Sequence, residues 1–151
     1  MKTIGFIKEH DSNTIKEEYL DKPSDFDSSI ITETEKEKII NYLNNAEMVM
    51  AFLRALSDGD TYIGPYSFHS DGEWIWPSHF AYYLNKFNFS SMTDDFLNHM
   101  RAKDYEVSPL TKEQRHHVEL FLGLKVCNLG EKVRESVRRN AIRLGYDISE
   151  Y

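Results

Sequence analysis

The residues best able to do chemistry in this chain are six histidines and the carboxylates and aromatic rings spaced among them. His69, Asp71, Glu73 and His79 flank one Ser70-Asp71-Gly72 cluster. An imidazole beside a carboxylate can move a proton or hold a divalent metal. If the segments on either side of that cluster pair as strands, His69 and Glu73 meet across a turn, with His79 at the start of the next element. No ligand or nucleophile pattern accompanies them: HExxH, CxxC, GxGxxG, the P-loop and GxSxG are all absent. The plainer reading is a polar hairpin tip. His116-His117 offers a second pair, but neighbours on a helix point about 100° apart and do not easily chelate one ion. His99 reads as a helix flank beside Phe96 and Met100. Cys127 stands alone and reads as a small buried hydrophobe. No cofactor is implied.

The elements that must position these groups lie in Asp60–Phe89, which holds both tryptophans. Tyr62, Ile63, Tyr66 and Phe68, then Trp74-Ile75-Trp76, are two β-prone runs around Asp71-Gly72, a strong hairpin signal. Trp74 and Trp76 share one strand face. Pro65 lacks a ladder donor, which predicts that the first arm is an edge strand or starts after Pro65. Pro77 ends the second arm. Phe80, Tyr83, Leu84 and Phe87 then form one helical stripe, expected to pack on the hairpin.

Around this centre, Ile4 and Phe6 predict an N-terminal strand over 3–8 that partners the hairpin. Residues 9–31 read as a mobile loop with one helical turn near 15–20. Thr32/Glu35 and Thr34/Glu37 are overlapping capping boxes. From them the stripe Ile39, Leu43, Ala46, Met50, Leu53 predicts one helix to about Leu56, stopped by Ser57-Asp58-Gly59-Asp60. Thr93 caps a further helix, and Thr111 with Gln114 another that ends at Gly123. A last helix runs from about 130 to 144, closed by Gly145. The expectation is a single α+β domain over 1–151: a small antiparallel sheet, the N-terminal strand plus the Asp-Gly hairpin, packed by four or five helices.

The 151 residues carry a net charge of −7, which argues against a protein that coats nucleic acid. The acid is concentrated in the first 60 residues, with 7 Lys/Arg against 13 Asp/Glu, while residues 111–151 hold 8 against 6. Arg134, Arg138, Arg139 and Arg143 make a basic face on the last helix, a candidate docking strip for a larger assembly. No apolar run reaches the roughly 20 residues needed to span a bilayer. The N-terminus lacks a secretory pattern, and a lone cysteine fits a cytoplasmic setting.

The run Asp71-Gly72-Glu73-Trp74-Ile75-Trp76-Pro77, followed by Tyr82-Tyr83-Leu84, resembles a pattern in small bacterial cytosolic proteins associated with immunity to secreted polymorphic toxins. The resemblance spans residues 60–103. It implies a non-catalytic protein that occludes a toxin by binding it. Phe68, His69, Asp71, Glu73, Trp76 and His79 are then the expected partner contacts, with acidic groups steering a basic partner and aromatic rings anchoring it. The alternatives are a small enzyme or metal-binding protein using His69, Glu73 and His79, and an adaptor docking through the basic last helix.

Overall fold

A computed structural model describes residues 1–22 and 30–151. The fold is α+β. Among the described residues a four-stranded mixed sheet, ordered β1-β4-β3-β2, is packed by six α-helices. The strands are β1 (Lys2–Thr3), β2 (Glu47–Asp58), β3 (Thr61–Ser70) and β4 (Trp74–Pro77). The helices are α1 (Lys8–Asp11), α2 (Glu33–Asn45), α3 (Phe80–Lys86), α4 (Asp94–Ala102), α5 (Lys112–Phe121) and α6 (Glu131–Arg143). A short 3-10 turn, Glu17–Tyr19, follows α1, and a π-helical turn, Leu122–Val126, extends α5.

The expected β3–β4 hairpin is present, with His69 opposite Trp76 and Ser70 opposite Ile75. Because side chains alternate, its two faces serve two cores. Trp74 and Trp76 face α2, α3 and α4, among Ile39, Leu43, Phe80 and Phe96. Tyr66, Phe68 and Ile75 face the other way, onto Phe6, Ile15, Val118 and Leu122 of the N-terminal segment, α5 and the π turn. Trp76 is 1% exposed and donates its indole N–H to the Leu43 carbonyl at 3.3 Å. Burying such a ring contributes roughly 1.5–3 kcal/mol.

Three expectations about the sheet are corrected. First, the helix begun at Thr32 stops at Asn45, and residues 47–58 are strand β2. The stripe Ile39-Leu43-Ala46 is buried as drawn, but beyond it the period changes from helical to alternating. Met50 and Phe52 pack on the core while Ala51 and Leu53 face outward. Pairing with β3 overrides the high helix propensity of Met, Ala and Leu. Second, Asp58-Gly59-Asp60 is not a helix stop but a hairpin turn. Asp58 pairs with Thr61 and Gly59 takes φ +57°. Third, β3 is an inner strand despite Pro65, which sits where the β2–β3 register is irregular, between Ala51 and Ala55.

The N-terminal strand is shorter than expected and runs parallel to β4, with Ile4 N–H extending the ladder to the Ile75 carbonyl at 3.0 Å. Residues 9–22 are built into the fold: Asp11 and Ile15 are buried, and Ile15 bridges to Cys127. Residues 23–29 of the expected mobile loop lie outside the described residues. Thr32, Thr93 and Thr111 cap α2, α4 and α5 as read, the last in a full capping box with Gln114. Gly123 does not end its helix; it lies inside the π turn, against Val137 of α6. Gly145, at φ +82°, follows the end of α6 as expected.

Candidate functional site

Most of the expected contact residues are inside the protein. Phe68 and His79 are fully buried, Trp76 is 1% exposed and Asp71 6%. That corrects four of the six as partner contacts, because a buried side chain presents nothing to a docking surface. Only His69, half-buried, and Glu73, exposed, are within reach. Nor do His69, Glu73 and His79 meet. The β3–β4 register places His69 opposite Trp76, one pair beyond Ser70 and Ile75, while Glu73 lies in the turn beside His99. Among the described residues no three His, Cys, Asp or Glu groups are arranged to hold a metal ion.

Each member of that trio instead belongs to a different polar cluster. Asp71 organises the first. One carboxylate oxygen accepts the Glu73 and Trp74 N–H groups at 2.9 and 2.8 Å, closing the hairpin turn. The other accepts the Tyr42 hydroxyl at 2.5 Å and faces His99 Nε2 at 2.7 Å. His99 Nδ1 lies 3.2 Å from Glu73. Burial alone would raise the Asp71 pKa, but the bonds from Tyr42, the two turn amides and His99 hold it below the usual carboxylate range. The cluster ties α2, α4 and the hairpin tip together, so Asp71 is a structural hub. His99 is thus a partner of Asp71 rather than a bystander on its helix.

His79 belongs to a second cluster, assembled by Asp11 at the end of α1. The Asp11 carboxylate accepts the Ile7 N–H at 2.7 Å and the Tyr66 hydroxyl, and faces His79 Nε2 at 2.9 Å. Asp11 and His79 are both wholly buried. With Nε2–H donating to the carboxylate, His79 Nδ1 has no partner among the described residues. Burial and the adjacent Asp11 charge push the Tyr66 hydroxyl upward. The His10 ring lies 5.1 Å from that of His79, and its Nε2 meets the Tyr83 hydroxyl at 2.6 Å. Burial, then the neighbouring His79, lowers the His10 pKa. Tyr83, pushed up to about 12 chiefly by burial, carries this chain of contacts to a surface cleft of about 380 Å³ beside α3. Sequence reasoning missed Asp11 and His10, and read Tyr66 and Tyr83 as strand and helix aromatic residues without their polar partners. Their contacts span 55 to 73 positions.

His69 sits in a third place, on the outer face of the β2–β3 hairpin. Its Nδ1 faces the Ala46 carbonyl at 3.2 Å and therefore carries the hydrogen, leaving Nε2 to accept from the Ser67 hydroxyl at 3.0 Å. Burial lowers its pKa, which keeps the ring neutral. Ser67 and His69 line a shallow groove of about 340 Å³ whose other walls include Met48, Ala51, Phe52 and Pro65. Beside it, among the described residues, β2 is the outermost strand, with β3 its one strand neighbour. Met48 is 53% exposed, Leu53 fully exposed and Tyr62 65%. A long edge strand bearing large apolar side chains is a template for another chain.

The remaining candidates are quieter. His116 and His117 pair separately with Glu119 and Glu113 on α5, and His117 meets Tyr151 at 3.0 Å. Cys127 is buried, its thiol pushed up to about 11 by that burial, which suits a packing role. On α6, Glu131 and Glu135 engage Arg138, and Glu131 also lies near Arg134. No helix among the described residues is long and apolar enough to cross a membrane. Compared with known proteins, the chain matches no family model, no curated protein and no solved structure.

Proposed function

We propose that this chain works by binding a protein partner, in the manner of an immunity protein that occludes a secreted toxin, and that the β2–β3 hairpin is the contact surface. The observation that carries the reading is the open edge of β2, flanked by exposed Met48, Leu53 and Tyr62 and by the outer groove. An edge strand offers backbone donors and acceptors for strand addition, and alternate side chains supply specificity. The net charge of −7 favours encounter with a basic partner. The sequence pattern around Asp71–Pro77 supports the immunity role. Its residues build the hairpin from within, and the contact surface lies one strand away.

The test is affinity capture from cells of the source with two baits, the native chain and Leu53→Glu/Tyr62→Lys. Both substitutions fall on exposed positions, so both baits fold. The expected result is one stoichiometric protein retained by the native bait and lost from the variant, with its toxicity abolished on mixing with the native chain. Equal retention on both baits would overturn the placement, and a captured partner whose activity is untouched would overturn the immunity role.

One geometry favours a second, catalytic reading. Neutral His69, oriented by Ala46, holds the Ser67 hydroxyl in a surface groove, which is half of a nucleophile–base arrangement. Covalent labelling of Ser67 by a fluorophosphonate, lost in His69→Gln, would establish it. An unlabelled protein leaves the pair as a tether between β3 and the end of α2.

A further inference from the structure

The cleft beside α3 combines three features that point to one ligand chemistry. Its floor is aromatic. Tyr83 and Phe87 stack with their planes 12° apart, and Phe80 is drawn close because Gly5, at φ +82°, has no Cβ to collide with it. Its lining is acidic: among the described residues it holds Glu9, Asp21 and Asp58 with Lys86 as the cation, a net charge of −2 at neutral pH. Asp58 is held below the usual carboxylate range by its hydrogen bonds from Lys86 and Tyr82, so it is ionised across the physiological range. Asp21, also in the lining, accepts the Gly5 N–H at 2.8 Å.

The chain already places its own cation there. The Lys86 ammonium lies 5.5 Å from the Phe87 ring centroid and 6.0 Å from that of Tyr83 while paired to Asp58. An ammonium over aromatic faces with a carboxylate behind it is the arrangement that recognises organic cations.

We infer that this cleft binds an organic cation, a primary ammonium or guanidinium on a short aliphatic or aromatic stem, which displaces the Lys86 ammonium and is held by Asp58 and Glu9 against Tyr83 and Phe87. The source is a free amine or a basic side chain of a bound protein, since both present the same head group. The site meets β2 only at its last residue, Asp58; Leu53 and Tyr62 take no part in it.

The test is an amide-resolved NMR titration of the full chain with three probes: tyramine, Nα-acetylargininamide and 3-(4-hydroxyphenyl)propionate, the last an anion of the size of tyramine. The expected result is saturable shifts centred on Gly5, Phe87 and Ser91 with the two cations and none with the anion. Asp58→Asn and Phe87→Leu, both at partly exposed positions, weaken cation binding by about fivefold each. Tighter binding of tyramine identifies a free amine as the source, and tighter binding of the argininamide a partner's side chain. Absence of saturable shifts with both cations, or equal binding of the anion, overturns the inference. So does a cation affinity that Asp58→Asn leaves unchanged. Leu53→Glu, which disables the proposed partner surface, leaves the titration as it was, so the two readings fail separately.

Discussion

Replacing Asp11 by alanine should be among the most damaging single changes in this chain. The substitution leaves three donors without their acceptor: the Ile7 N–H, the Tyr66 hydroxyl and the Nε2–H of His79. Tyr66 and His79 are fully buried, so neither reaches bulk water without opening the fold. An unsatisfied buried group costs about 1–3 kcal/mol, and three donors are left here. These costs overlap, because one carboxylate serves all three donors, so the expected loss is about 4 kcal/mol. That is a large share of the roughly 5–15 kcal/mol that stabilises a domain. Urea unfolding followed by circular dichroism reads it directly. With a slope near 2 kcal/mol per molar, the midpoint should fall by about 2 M. Tyr66→Phe removes one of the stranded donors in advance. In that background Asp11→Ala should cost about 1 kcal/mol less, a coupling that a double-mutant cycle isolates. A loss below about 1 kcal/mol, or purely additive effects of the two substitutions, would refute the claim that Asp11 is the acceptor that joins α1 to the sheet.

Other consequences follow from the same geometry. Gly5→Ala combines a positive φ with a Cβ placed 2.4 Å from Phe80 Cγ, so it should lower stability by about 2–4 kcal/mol, visible as a reduced melting temperature. Thr111→Ala deletes the hydroxyl half of the α5 capping box and should cost about 1 kcal/mol in urea unfolding. His10 and His69 both have folded pKa values lowered by burial from 6.5. Between that value and the folded one, the unfolded chain binds the extra protons. Their contribution is therefore complete above pH 6.5 and declines as pH falls toward the folded values. His69→Gln should flatten part of that decline in a series of unfolding curves, and an unchanged slope would show that His69 does not titrate as burial requires.

How legible was this architecture in the sequence? The β3–β4 hairpin, helix α3 and three threonine caps could be read because each is signalled within a few residues, although of the α3 stripe Phe80 and Leu84 are buried while Phe87 is exposed. Strand β2 could not be read in the same way. Residues 47–56 are rich in Met, Ala and Leu, and their apolar positions extend the α2 stripe by coincidence. The clue that separates the two possibilities is Asp58-Gly59 between β-capable runs, the same turn signal that correctly located Asp71-Gly72. Read as a hairpin, it demands a strand before it. The polar hubs were illegible for a different reason. Asp11 lies in a charged stretch with the look of a surface loop, and it acquires meaning from Tyr66 and His79, more than fifty positions away. Asp71 had a visible local role as a turn residue, but its bonds to Tyr42 and His99 are set by how α2 and α4 cross the sheet.

That division also shifts where function should be sought. The expected contacts clustered on Asp71–His79 because polar and aromatic residues are dense there. The density turns out to be what the core needs: two tryptophans for one face, and a carboxylate and a histidine to satisfy buried donors. What the hubs leave open is the β2 edge and the α3 cleft, and the two converge on one turn. Asp58 ends β2, closes the β2–β3 hairpin with Thr61, accepts the Tyr82 hydroxyl, and pairs with Lys86 in the cleft. A partner that adds a strand along β2 would bring its flanking residues to that cleft. If one of them is basic, an organic amine in the cleft competes with the partner, and the apparent affinity falls as amine is added. If the cleft serves a free ligand instead, amine and partner bind together, and Asp58→Asn weakens the amine alone. Measuring partner affinity at zero and saturating amine separates the cases. A partner affinity that Leu53→Glu abolishes and amine leaves unchanged would establish two independent sites joined by a single turn.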